Sequence, residues 1–161
     1  MNKYKIEIKW AIIFVLVTLI WVLLERVSGL HGQHIDKHAT FTNLIAIPAI
    51  AVYVFALLDK RRNFYNGIMT YKQGFICGLI ITAIVTVLSP ITQYITSTFI
   101  TPDYFTNAIK YSVDKKMLSQ DAAEKYFNLK SYMVRALIGT PIMGIITTAI
   151  VAIFTRRKSV V

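Results

Sequence analysis

Four long stretches of this chain carry no charge, and that absence constrains the fold more than any other feature. The 18 Lys and Arg and the 8 Asp and Glu all lie outside Trp10–Leu24 (15 residues), Ala39–Leu58 (20), Gln73–Pro102 (30) and Ala136–Thr155 (20), which together hold 85 of the 161 residues. A charge at mid-bilayer costs about 2.5–3.5 kcal/mol on insertion scales. A helix rising 1.5 Å per residue needs about 20 apolar residues to cross roughly 30 Å of hydrocarbon. Three windows reach that length directly. The first reaches it with Ile6, Ile8 and Val27, provided Lys9 extends its ammonium toward the headgroups and Glu25 sits at the boundary. The expected fold is therefore all-α, an integral membrane four-helix bundle in a single domain. Its spans lie at about 8–27, 39–58, 71–99 and 133–155, with an outer amphipathic helical segment at about 102–130.

Two other uses of apolar stretches fit less well. Four buried helices of a soluble protein would leave no amphipathic elements to cover them. A cleaved leader would use Lys3, Lys5 and Lys9 ahead of the first run, with Val27-Ser28-Gly29 as its processing site. That run is long for a leader and three further spans follow it, so a retained first helix is expected. Composition agrees: 55% of residues are hydrophobic and 16% charged, against about 25% charged in an ordinary soluble domain. The lone Cys77 has no intrachain disulfide partner.

The net charge of +10 reads as a topology signal. An even number of spans puts both termini on one side, with Lys60-Arg61-Arg62 and Arg156-Arg157-Lys158 abutting span ends there. Cations so placed mark the cytoplasmic side. The expected location is the bacterial cytoplasmic (inner) membrane with both termini cytoplasmic. Anionic lipid headgroups are expected at Lys60, Arg61, Arg62, Arg156 and Arg157. Nucleic acid is not an expected partner, because the cations are scattered instead of lining one face among stacking aromatics.

Small residues predict how the helices pair. Gly74, Gly78, Thr82, Thr86 and Pro90 recur every four residues in the third span, as do Ala136, Thr140, Gly144, Thr148 and Ala152 in the fourth. Such stripes let two backbones approach closely in lipid, so these spans should form an antiparallel hairpin through Gly74, Gly78, Thr82, Gly144 and Thr148. Thr70 and Gln73 form a capping box that starts the third helix. Pro48, Pro90 and Pro141 should each kink a span or sit in its first turn. Thr101-Pro102-Asp103 and Ser119-Gln120-Asp121 read as starts of two short outer helices.

Two groups of residues are candidates for chemistry. His31, His34 and His38 are candidate metal ligands, since His34 and His38 would share a helical face and Asp36 or Glu25 would add a carboxylate. Gly29 and Gly32 instead mark a turn there. Glu25, Gln93 and Arg135 all fall near the outer leaflet and form a candidate polar cluster, either as a Glu25–Arg135 ion pair or as a pocket for an anion or proton. The chain has no nucleophile elbow, phosphate-cradling glycine loop or CxxC motif, so neither catalysis nor a cofactor is expected. The leading expectation is a non-enzymatic protein acting through helix contacts with itself, with lipid or with another membrane protein. The alternatives are a small transporter or channel using the outer polar cluster, and a metal sensor using the histidines.

Longer stretches carry a family resemblance. They include Lys5-Ile6-Glu7-Ile8-Lys9-Trp10, Ile35-Asp36-Lys37-His38, Ile47-Pro48-Ala49, Leu57-Leu58-Asp59-Lys60-Arg61 and Tyr71-Lys72-Gln73-Gly74. Further on come Leu88-Ser89-Pro90-Ile91-Thr92-Gln93-Tyr94, Thr101-Pro102-Asp103-Tyr104-Phe105 and Tyr126-Phe127-Asn128-Leu129-Lys130. With these the chain resembles small bacterial membrane proteins catalogued as domain of unknown function 4199. The resemblance implies a four-helix integral membrane protein and carries over no catalytic or binding residue.

Overall fold

The computed structural model describes residues 4–157. It is all-α, and no strand occurs among the described residues. Helix α1 is Lys5–Val27, α2 is Ile35–Phe41 and α3 is Ala46–Asn63, with a 3-10 turn, Thr42–Ile45, joining α2 to α3. Helix α4 is Tyr71–Ile95 and runs on through a π-helical turn, Thr96–Ile100; α5 is Tyr104–Asp114, α6 is Gln120–Tyr126 and α7 is Leu129–Thr155. Four helical units, Lys5–Val27, Ile35–Asn63, Tyr71–Ile100 and Leu129–Thr155, are long and apolar enough to cross a bilayer. The chain is a multi-pass membrane protein.

The start of α4 follows its local sequence. The Thr70 amide donates to Gln73 Oε1 at 2.8 Å, and the Gln73 amide donates to Thr70 Oγ1 at 3.3 Å, closing the capping box. Ser119 caps α6 by accepting from the Ala122 amide. Asn128 caps α7 by accepting from the Ser131 amide. Pro48 sits in the first turn of α3, where its missing N–H disturbs nothing. Pro90 lies inside α4 and leaves the Thr86 carbonyl without its helical donor. The Ser89 hydroxyl donates to that carbonyl at 2.8 Å.

The α4–α7 seam is held at backbone-contact distance. A methyl group built on Gly78 would lie 2.3 Å from Thr148 Cγ2, and one on Gly144 would lie 2.4 Å from Thr82 Cγ2. The two contacts mirror each other, as antiparallel helices with matched stripes require. Beyond them Gly74 faces Ala152. Thr82 Oγ1 donates its single proton to the Gly78 carbonyl at 2.9 Å, so Tyr53 must be the donor in its 2.7 Å bond to Thr82. That bond ties α3 to the seam.

The chain ends and the α3–α4 loop share one end of the bundle, here the terminal end. Met69 and Arg157 exchange backbone hydrogen bonds of 3.1 and 2.8 Å there, and Arg61 donates to the Thr155 carbonyl at 2.9 Å. The α1–α2 turn and the α5–α6 hairpin lie at the opposite, connector end. Helix α5 begins at Tyr104, later than the sequence predicts: Thr101 does not cap it, because its hydroxyl turns back to the Thr96 carbonyl at 3.2 Å. The π-helical turn before it exposes that carbonyl to both the amide and the hydroxyl of Thr101.

Candidate site at the connector end

The candidate site is built by a turn. Gly29 has φ +79°, and a side chain there would also collide with Gln33 at 2.9 Å. The reversal carries His31 back over the last turn of α1, where Glu25 is buried. Helix α2 then begins at Ile35 and brings His38 to the same carboxylate. Glu25 Oε2 lies 3.2 Å from His31 Nε2 and 3.8 Å from His38 Nε2. Trp21 Nε1, one turn earlier on α1, donates to the other oxygen, Oε1, at 2.7 Å.

Helix α5 closes the site from the side. The Tyr104 ring packs 5.0 Å from His31 and 5.1 Å from His38, and the two imidazoles lie 5.0 Å apart. Asn107 Nδ2 donates to the His31 carbonyl at 2.9 Å. Burial, with the Tyr132 hydroxyl 3.2 Å away, pushes the Tyr104 hydroxyl well above its ordinary pKa, so it stays protonated. His31 Nδ1 is buried and has no hydrogen-bond partner among the described residues. A cavity of about 290 Å³ opens beside His31, lined by Arg26, Thr101, Asp103 and Asn107, and another of about 590 Å³ lies against His38.

The residues singled out in the sequence separate here. Of the three histidines, His31 and His38 join Glu25; His34 is the exposed residue just ahead of α2. The shared helical face expected for His34 and His38 does not form, because the helix starts only after His34. Asp36 is exposed in the first turn of α2. The Glu25–Gln93–Arg135 cluster is not assembled either. Arg135 Nη2 donates to the Tyr126 carbonyl at 3.0 Å and to Ser131 Oγ at 2.8 Å, with its guanidinium 3.5 Å from the Tyr126 ring centre. Gln93 donates to Ser97 Oγ at 2.9 Å on its own helix. No Glu25–Arg135 ion pair exists, because aromatic and local partners take the arginine and histidines take the carboxylate.

Sequence reasoning also missed a polar cluster at the terminal end. Lys60 Nζ lies 2.8 Å from Glu7 Oε1, with both side chains almost wholly buried, and 3.8 Å from the Phe64 ring centre. Lys60 therefore does not face lipid headgroups as expected. Arg61 is half-buried on the Thr155 carbonyl, while Arg62, Arg156 and Arg157 stay exposed. Nearby, Lys9 pairs with Asp59, which also accepts from Trp10 Nε1 at 2.7 Å and Asn63 Nδ2 at 2.6 Å. Charges at α1 and α3 positions that converge on one end were the available signal.

No curated protein and no solved structure matches the chain. A family model matches residues 9–157, which take in the Glu25–His31–His38 corner and the whole α4–α7 seam. On that match, the chain belongs to the family described as protein of unknown function, DUF4199.

Proposed function

We infer that this is a non-enzymatic protein of the bacterial cytoplasmic membrane, with both termini cytoplasmic, that acts through helix contacts with lipid, with itself or with a membrane partner. One observation carries this reading: the small and polar faces of the helices are used up internally while their large apolar side chains point outward. Ile12, Leu16 and Ile20 of α1 and Ile142, Ile146 and Ile150 of α7 are all exposed. Side chains of that size are stable outside only where lipid or another apolar helix covers them. The buried hydroxyls of Tyr53, Thr82 and Ser89 are engaged in fixed bonds, which favours a structural role over a chemical one. Arg62, Arg156 and Arg157, exposed at the terminal end, are the cations placed to meet anionic headgroups. The transport alternative relied on Glu25, Gln93 and Arg135 acting together, and these residues make separate contacts.

Cysteine accessibility in intact cells tests both the topology and the choice between contact and transport. Native Cys77 is buried and adds little background. Ser119→Cys should react with a membrane-impermeant thiol reagent, and Lys72→Cys should react only after permeabilisation. Thr18→Cys, midway along α1 beside an apolar cavity of about 420 Å³, should stay unmodified. Rapid modification at Thr18→Cys would establish a water path and favour transport. Labelling of Lys72→Cys from outside would reverse the topology.

A further inference from the structure

We propose that Glu25, His31 and His38 form a binding site for one divalent transition-metal ion of zinc-like chemistry. Each residue offers one ligand atom, and the three atoms lie within 4.8 Å of one another. Zinc bonds of about 2.0–2.2 Å in tetrahedral geometry set neighbouring ligand atoms roughly 3.3–3.5 Å apart. The two histidine-to-carboxylate separations, 3.2 and 3.8 Å, bracket that spacing. Movement of the two imidazoles toward each other, from a separation within 4.8 Å, completes the fit.

Neighbouring side chains hold the three residues in place. Trp21 occupies Oε1 and leaves Oε2 turned toward both imidazoles. Asn107 fixes the His31 backbone from α5, and Tyr104 packs against both rings. Partners of this kind orient ligands before an ion arrives. The arrangement is hard to explain as hydrogen bonding alone. His31 Nε2 is within hydrogen-bond distance of Oε2, but His38 Nε2, at 3.8 Å, is not. A cation between the three atoms instead makes each of them a donor of a lone pair to one point. Two neutral histidines and one carboxylate form a set that suits zinc or cobalt better than calcium or magnesium. The cavities beside His31 and His38 supply a route in and room for a further ligand such as water. This site is independent of the contact role proposed above and would stand or fall without it.

The test uses the full chain purified in detergent, stripped with a chelator and titrated with Co²⁺ alone, then with Zn²⁺. One Co²⁺ per chain should bind, with the intense visible absorption of a four-coordinate ion, and one Zn²⁺ should displace it. His38→Gln should weaken binding by at least about a hundredfold, beyond the 10–100-fold expected for a merely supporting contact. His34→Gln should leave binding unchanged. Should His38→Gln aggregate, the wild-type protein supplies a second readout: Zn²⁺ should protect His38, but not His34, from modification by diethyl pyrocarbonate, as read by mass spectrometry. The proposal is overturned if the wild type shows no saturable Co²⁺ binding, if His34→Gln loses binding as His38→Gln does, or if Zn²⁺ protects both histidines equally or neither.

Discussion

At the terminal end of the bundle a buried carboxylate, Glu7, meets a lysine; at the connector end another, Glu25, meets two histidines. The two corners share a design, since in each α1 brings the acid; Lys60 comes from α3, and the histidines come from the α1–α2 turn and from α2. They differ in what the partner is. The Lys60 ammonium pairs with Glu7 Oε1 within the chain, while Glu7 Oε2 is buried without a hydrogen-bond partner among the described residues. Imidazole nitrogens are also metal ligands, so the Glu25 corner offers three ligand atoms to one ion. The surroundings differ in the same sense. Backbone exchange between Met69 and Arg157 closes the terminal end, whereas cavities flank the connector end. An ammonium can only donate to its carboxylate, whereas imidazoles can also offer lone pairs to a metal.

Lys60→Met should break this comparison most sharply. It leaves Glu7 buried opposite an apolar side chain, and unfolding in mixed micelles should show a loss of about 3–5 kcal/mol. Adding Glu7→Leu should restore most of that loss, since an apolar pair of similar volume replaces the ion pair. Glu25→Gln should cost only about 1 kcal/mol in metal-free protein, because the amide oxygen can still accept a hydrogen bond from Trp21. Equal losses from Lys60→Met and Glu25→Gln would erase the distinction between the two corners.

The seam between the ends gives a finer test. Gly78→Ala places a methyl group against Thr148 and should destabilise by about 1–3 kcal/mol, with α4 and α7 forced apart. The smallest effect concerns two threonines at equivalent places. Thr82 has two hydrogen bonds, while the Thr148 hydroxyl is buried without a partner among the described residues. Thr148→Val should therefore stabilise by about 1 kcal/mol, and Thr82→Val should destabilise by a similar amount. A loss in both would mean that the Thr148 hydroxyl is bonded within the seam.

The parts of the fold written in local sequence were legible there. Charge-free windows mark the four long helices, Thr70 and Gln73 mark the start of α4, and Ser119 marks α6. The stripes meet because a four-residue period defines a helix face whatever lies opposite it. The candidate site was less legible. His34 and His38 have helical spacing, but Gly29 reverses the chain and α2 begins too late to use it. Glu25 and His31 are six residues apart, with no regular element joining them. Glu7 and Lys60 lie on different helices, so only the packed bundle reveals them as a pair. Arg135 looked like a partner for Glu25 by depth alone, yet Tyr126 and Ser131 lie nearer in its own connection.

The backbone exchange between Met69 and Arg157 has a consequence for biogenesis. The turn after α3 is synthesised and inserted early, yet the partners of Met69 and Arg61 sit at the far end of α7. During translation those groups cannot meet these partners until α7 has been synthesised. The clasp on this face thus forms only once α7 is in place, and a chain truncated before Thr155 would lack it.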